Sequence, residues 1–403
     1  MKKLLLATAI AALSVSAANA APTVYGKAFV TADYVDFDAD INYSDSDGES
    51  VRLSGSEDTV EINSNSSRIG VKGSEAMTAN TDVIYQLEYG VNIDSGAEDQ
   101  FTSRDTYLGL NNKTFGQFRV GRNMSVLDYV NNVAVTQGYW DNLGSGNALS
   151  TLATSVFAVE DEIDGFDVDT DALESAVTTS FNMTDSGRQD NSIVWIAPKY
   201  NGVPVQLALQ YSADERLGES DNGYGASLVF DQGTGFTAGL AYTKDMDTRN
   251  SGFVYNADED DFELTNFGGD VIRGTATVDL GKYIAAPVTL GALYQVADYD
   301  YAGSKKEKGL VVSAEMGLTN FARPASVYAQ YNKTDNLTGV NNFDSDQIVV
   351  GGKYMFKDNL IAHAYVGQNS ADYSDSLVEP GFSSRASIEA DNFAVGGGIE
   401  YIF

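Results

Sequence analysis

Asn392-Phe393-Ala394-Val395-Gly396-Gly397-Gly398-Ile399-Glu400-Tyr401-Ile402-Phe403 is the stretch on which the fold turns. Phe393, Val395, Ile399, Tyr401 and Phe403 fall on one side of an extended chain; Asn392, Ala394, Gly396, Gly398 and Glu400 fall on the other. Successive side chains of a strand point to opposite faces, so this is a strand with one apolar face and one small or polar face. The chain ends on that strand, with an aromatic residue last.

The same dyad repeats upstream. Val83, Tyr85, Leu87, Tyr89 and Val91 oppose Gln86, Glu88 and Asn92. Val205, Leu207, Leu209 and Tyr211 oppose Gln206, Gln210 and Ser212; Ile272, Ala276, Val278 and Leu280 oppose Arg273, Thr275, Thr277 and Asp279. Ala325, Val327, Ala329 and Tyr331 oppose Ser326, Gln330 and Asn332. Read throughout, the chain gives 16 candidate strands, beginning near residues 24, 60, 81, 101, 116, 191, 203, 222, 235, 270, 287, 307, 324, 345, 360 and 392. Short connections such as Asn201-Gly202, 231–235 and 356–359 alternate with long ones at 36–59, 123–190, 244–270 and 370–391. An even strand count with short turns at one end and long loops at the other is the pattern of an outer-membrane barrel. A soluble β-sandwich alternates in the same way strand by strand. Strand lengths suited to a tilted membrane crossing, and aromatics at segment ends (Tyr25 and Tyr34, Tyr354 and Phe356), favour the barrel. The closing strand, with Tyr401 and Phe403, resembles the assembly signal of such barrels.

The N-terminus agrees. Met1-Lys2-Lys3 is a basic head, Leu4 to Val15 is mostly apolar, and Ala18-Asn19-Ala20 supplies the small residues of a cleavage site. This reads as a secretory signal peptide over residues 1–20, with one barrel domain over 21–403. Beyond it no apolar run approaches the roughly 20 residues of a membrane helix. Gly 39, Tyr 23 and Phe 19 against Pro 6 favour many short strands, and Cys 0 excludes a disulfide framework. A net charge of −32, or about −34 without the leader lysines, excludes nucleic acid as a partner of the net field.

Several segments together resemble the 16-stranded trimeric porins of Gram-negative bacteria, over nearly all of the mature chain. They are Val24-Tyr25-Gly26-Lys27-Ala28, then Ser67-Arg68-Ile69-Gly70-Val71-Lys72-Gly73-Ser74-Glu75 and Thr102-Ser103-Arg104-Asp105-Thr106-Tyr107-Leu108-Gly109-Leu110. Phe115-Gly116-Gln117-Phe118-Arg119-Val120-Gly121-Arg122 and Arg188-Gln189-Asp190-Asn191-Ser192-Ile193-Val194-Trp195 follow in order. The resemblance implies a transmembrane antiparallel barrel, a homotrimer, and a water-filled pore narrowed by an inward-folded third loop. It implies that a ladder of cations on the wall, here Lys27, Arg68, Arg104 and Arg188 with Arg119 and Arg122 as further candidates, faces acids on that loop.

Alternation independently places Lys27 with Thr31 and Asp33, and Arg68 with Lys72, on the polar face. A charge on the lipid face costs a few kcal/mol near mid-membrane, so the lumen is the expected location. Arg104 fits poorly, because strict alternation would turn Asp105 outward beside Tyr107. The Pro-Glu-Phe-Gly-Gly stretch common in the third loop of the family is absent. An acidic run, Glu160 to Asp171, stands there instead, and Glu160, Asp161 and Glu162 are the candidates for the acidic side of the constriction. The remainder reads as a solvated loop tip. Segments 36–59, 123–190 and 244–270 hold 28 of the 57 acids, which predicts a negative outer mouth and a modest cation preference.

Catalysis has little to work with. His363, the single histidine, is expected to face the lumen beside Tyr365, and no acid or serine accompanies it within its strand. One His and no Cys also argue against zinc, and no cofactor or metal is implied. A barrel hydrolase is therefore the weakest alternative, and an adhesin or receptor built from the long loops the next. The expected partners are lipopolysaccharide, with divalent ions bridging acids to its anionic surface, the barrel-assembly machinery through the last strand, and small hydrophilic solutes.

Overall fold

The computed structural model describes residues 21–45, 50–94, 100–141, 181–185, 187–198, 203–213, 222–246, 251–256, 261–266, 268–300, 304–379 and 382–403. The leader assignment lies outside them. In chain order the strands are β1 (Thr23–Asp45), β2 (Ser50–Ser64), β3 (Arg68–Ala76), β4 (Thr81–Val91), β5 (Phe101–Asn112) and β6 (Gly116–Met124). Next come β7 (Arg188–Ile196), β8 (Val205–Ser212), β9 (Gly223–Asp231), β10 (Phe236–Lys244), and the separate hairpin β11 (Ser251–Asn256) and β12 (Asp261–Asn266). The chain closes with β13 (Gly269–Asp279), β14 (Val288–Tyr299), β15 (Glu307–Leu318), β16 (Ala325–Asp335), β17 (Phe343–Lys357), β18 (Leu360–Glu379) and β19 (Phe382–Ile402).

All but β11 and β12 belong to one antiparallel sheet, and β1 pairs with β19 to close it. Both β2 and β3 pair with β1, along its upper and lower parts, so they are two segments of one crossing strand. The barrel thus has sixteen crossings, at the positions the alternation predicts. Between β2 and β3 the ladder is bridged by side chain and turn. Phe29 N donates to Ser67 Oγ, Ser67 Oγ donates to Phe29 O, and Asn65 N donates to Phe29 O. At the seam, Gly26 N donates to Phe403 O at 2.9 Å and Phe403 N to Gly26 O at 3.0 Å. A Cβ on Gly26 would lie 2.4 Å from the Phe403 ring, so this glycine is what lets the terminal aromatic lie against the first strand.

Outward faces carry exposed apolar side chains such as Leu108, Val120, Leu209, Leu240, Leu290, Val327, Val366 and Ile399. Inward faces carry Gln210, Thr243, Gln295, Gln330, Gln347, Asn369 and Asn392, all buried. That inversion of a soluble core is what a lipid exterior demands.

Two connections expected as long loops, 36–59 and 370–391, prove to be mostly strand. β1 has 23 residues and β19 has 21, about twice what a tilted crossing needs, so β2, β1, β19 and β18 rise together past the apolar band. Over this extension the pattern reverses. Phe37, Ala39, Phe343, Ala371 and Ala390 point inward and pack around Phe181, as in a soluble core. The outward positions become acidic: Asp36 faces Asp58, Asp38 faces Asp391, and Asp40 and Asp372 both face Glu389. Like charges directly opposite across a sheet are destabilising, so this rim draws counter-ions.

Candidate functional site

The connection between β6 and β7 is the third long loop, and its two described arms, 125–141 and 181–185, lie inside the barrel. The first arm leaves β6 through a 3-10 turn, Val126–Val130, where Ser125 Oγ accepts from Leu127 N at 3.3 Å. Leu127 and Val130 are buried against Ala241, Val271, Ala297 and Tyr299. Val133 packs on Leu293 and Val311 and accepts from Ser313 Oγ. Trp140, with 0% exposure, fills a space between Val35, Tyr328, Val349, Tyr365 and Ala394.

Wall side chains hold the arm's backbone. Val126 N donates to Gln210 Oε1 at 2.9 Å and Val135 N to Gln330 Oε1 at 2.8 Å. Tyr139 N donates to the Tyr365 hydroxyl at 3.0 Å, and Trp140 Nε1 to Ala394 O at 3.3 Å. Burial raises the pKa of the Tyr139 hydroxyl above its ordinary value, so it stays protonated beside Asn392. The returning arm is held in the same way. Asn369 brackets Phe181 from both backbone sides, Asn182 Nδ2 donates to Gln347 Oε1 at 2.8 Å, and Thr184 N donates to Glu307 Oε1 at 2.7 Å. Gln295 Nε2 donates to Thr184 O at 2.6 Å, and the fully buried Arg273 meets Asp185 at 2.9 Å. The loop therefore follows the wall from β8 round to β19 and back to β13.

None of these bonds falls on β3 to β6, and four of the sequence-predicted cations stand on that side or next to it. Lys27 in β1 pairs in register with Arg68 in β3, so both share the inward face. Arg119 in β6 is in register with Gly109 and lies inward beside Gln117, to whose Oε1 its Nε donates at 2.6 Å. Arg104 reaches the lumen because β4 and β5 change register: Leu87 pairs with Thr106 and Tyr89 with Ser103, so Glu88 opposes both Arg104 and Asp105. This bulge is the reason strict alternation misreads Asp105. Arg104 Nε meets Glu88 Oε1 at 2.7 Å, Arg68 is 3.9 Å from the same carboxylate, and the Tyr25 hydroxyl donates to it at 2.9 Å. Asp105 meets Arg188 Nε at 2.7 Å.

Arg122 differs from the rest. It shares the parity of the exposed Phe118 and Val120, on the outward side, and pairs there with Asp190. Glu160, Asp161 and Glu162 lie outside the described residues. A described loop acid, Asp141, stands next to Trp140, and the fields of Lys27 and Arg68 reach it. His363 Nε2 lies 2.9 Å from Glu400 Oε2, a carboxylate supplied by the neighbouring strand, and its ring rests 4.8 Å from that of Phe29.

Sequence reading missed what holds the loop. Gln210 and Gln330 were visible as polar positions, yet nothing in a lone amide says that a loop backbone will sit on it. Arg273 was equally visible on a polar face. A fully charged residue at the middle of an inward dyad is a signal for a buried partner, which proves to be Asp185.

A model of the Gram-negative porin family matches residues 7–374. Outer membrane porin N of Escherichia coli K12 is 24% identical over 337 residues, covering 77% of this chain and 80% of its own. Outer membrane protein S2 of Salmonella typhi is 25% identical over 98% of this chain and 99% of its own. Among solved structures, the anion-selective porin from Comamonas acidovorans superposes with a TM-score of 0.59 at 15% identity, over 96% of this chain and all, 100%, of that one. At this identity the likeness is one of fold.

Proposed function

Because the chain belongs to the Gram-negative porin family, it is an outer-membrane channel and not an enzyme, and we propose that it passes ions and small hydrophilic solutes passively as a homotrimer with a modest cation preference. One observation carries the reading: a closed barrel with an apolar exterior holds its third loop inside the lumen, fastened to one part of a polar wall. Arms held in this way narrow a passage from one side of the wall. The wall that carries none of the hydrogen bonds of the loop's two described arms holds Lys27, Arg68, Arg104 and Arg119, which we assign to the basic side of the constriction together with Arg188. Arg122, facing outward, is assigned to the outer surface instead.

The cation preference rests on the acidic rim formed by Asp36, Asp38, Asp58, Asp391 and their neighbours. A like-signed mouth raises the local counter-ion concentration. The same rim suits divalent ions that bridge to lipopolysaccharide, and the β19 strand ending at Phe403 suits recognition by the barrel-assembly machinery. Reconstitution in a planar bilayer tests the reading. Conductance steps in groups of three, with a reversal potential on the cation side in a salt gradient, are expected. Single independent steps would overturn the trimer, and clear anion selectivity the cation preference.

A further inference from the structure

The inward cations are of two kinds. Arg104 and Arg188 are neutralised by carboxylates at 2.7 Å. Lys72 and Arg119 have no ion-pair partner among the described residues. Each lies over an aromatic ring instead: Lys72 Nζ is 4.6 Å from the centre of Tyr25, and the Arg119 guanidinium 4.7 Å from that of Tyr107. Lys27, 5.3 Å from the Phe29 ring, extends the series. A ring attracts a cation through its quadrupole but carries no net charge, so it fixes the cation's position and leaves its charge intact.

These pairs adjoin one another. The Tyr107 hydroxyl donates to Gln86 Oε1 at 3.3 Å, and Gln86 is the register partner of Lys72. The inward Tyr328, Tyr365, Phe37 and Phe343 pack against Trp140 or Phe181 of the loop, whereas Tyr25 and Tyr107 carry cations on their rings instead.

We propose that this strip of alternating cations and rings is a binding site for small carboxylates that carry a planar ring. The carboxylate meets the undischarged ammonium or guanidinium, and the flat ring of the solute lies against Tyr107. A neutral sugar would use the rings and waste the cations; an inorganic anion would use the cations and waste the rings. The inference rests on the pore reading for its biological sense but not for its test, because binding does not require conduction.

The test compares benzoate with cyclohexanecarboxylate, which has the same charge and a similar size but a puckered saturated ring. Equilibrium dialysis against the refolded full chain should show benzoate held about three- to tenfold more tightly, the range expected when one aromatic contact is gained. Current block in the bilayer should follow the same order. Tyr107→Leu should bring the ratio close to one, whereas Tyr107→Phe should keep it, which separates loss of the ring from loss of the fold. Equal binding of the two acids by the unaltered chain, or a ratio untouched by Tyr107→Leu, would overturn the site. Benzoate binding by a protein that never conducts would support the site and overturn the pore.

Discussion

The inner wall of this barrel has two halves built on the same strand geometry and put to different uses. From β13 round to β19 the inward amides, hydroxyls and apolar and aromatic groups receive the two described arms of the third loop, and the charges among them, such as Arg273, Glu307 and His363, are partnered. From β3 to β6 the inward side chains include Lys72, Glu88, Arg104 and Arg119, and the wall bonds of the loop's described arms lie elsewhere. Hydrogen-bond inventory explains the division. A loop backbone presents N–H and C=O groups together, and an amide side chain can answer both, whereas ammonium and guanidinium groups only donate. Covering a cation also removes it from water at a cost that only a partner charge offsets. Arg273 is the exception that obeys the rule, since the loop brings Asp185 to meet it.

The most direct way to break this division is to remove the loop's largest anchor. Trp140 is fully buried between five strands' side chains, and Trp140→Ala should cost roughly 3–5 kcal/mol of local packing. The first arm should then leave the wall for part of the time, giving a larger and noisier unit conductance. An unchanged conductance with a normally assembled barrel would mean that the arm is held by its hydrogen bonds alone.

Those hydrogen bonds are the next, smaller effect. Gln330→Leu removes the acceptor for Val135 N, which leaves a half-buried donor without its partner at a cost of about 1–3 kcal/mol. Amide exchange of the segment 131–140 should accelerate by about tenfold or more, since 1.4 kcal/mol is one decade. The reversal potential should not move, because no charge changes. If it moved, the covered half would be acting on passing ions after all.

The division explains how much of the molecule could be read from sequence. Alternation found all sixteen crossings, because a lipid exterior imposes apolar residues at every second position and Phe393, Val395 and Ile399 satisfy that rule strand after strand. It failed at Asp105, where one extra residue in a bulge puts two adjacent side chains on the same side. It failed again at 36–45, where Asp36, Phe37, Asp38, Ala39 and Asp40 still alternate. There the apolar set faces inward onto Phe181, so a strand above the membrane looked like an acidic loop. The loop's path was unreadable for a different reason. Gln210, Gln295, Gln330 and Asn369 meet partners far away along the chain, and an amide carries no mark of what it will bind.

Charge on the uncovered half gives the third effect. Arg119→Gln removes a cation that is pinned on Tyr107 and has no ion-pair partner among the described residues, so the local field should turn more negative. The cation-to-anion permeability ratio should rise by about two- to threefold, a modest share of what a set of charges lining a cleft can produce. Arg104→Gln should do less, because Arg68 at 3.9 Å and the Tyr25 hydroxyl remain on the Glu88 carboxylate and can take up part of the charge it regains. Equal shifts from the two variants would erase the distinction between paired and ring-held cations.

The smallest effect separates the lumen from the rim, and salt is the variable that exposes it. Asp38 and Asp391 face each other on the outer side of the extended sheet, outside the lumen through which ions pass. At 1 M ionic strength the Debye length is about 3 Å, and at 0.01 M about 30 Å. Neutralising this pair as Asp38→Asn with Asp391→Asn should therefore lower the cation preference measurably in dilute salt and leave it unchanged at 1 M. The Arg119→Gln shift should persist at both concentrations, because an ion in the constriction passes within a few ångströms of that wall. A rim effect that survived 1 M salt would place those acids in the conduction path, beside the ions and not at a distance from them.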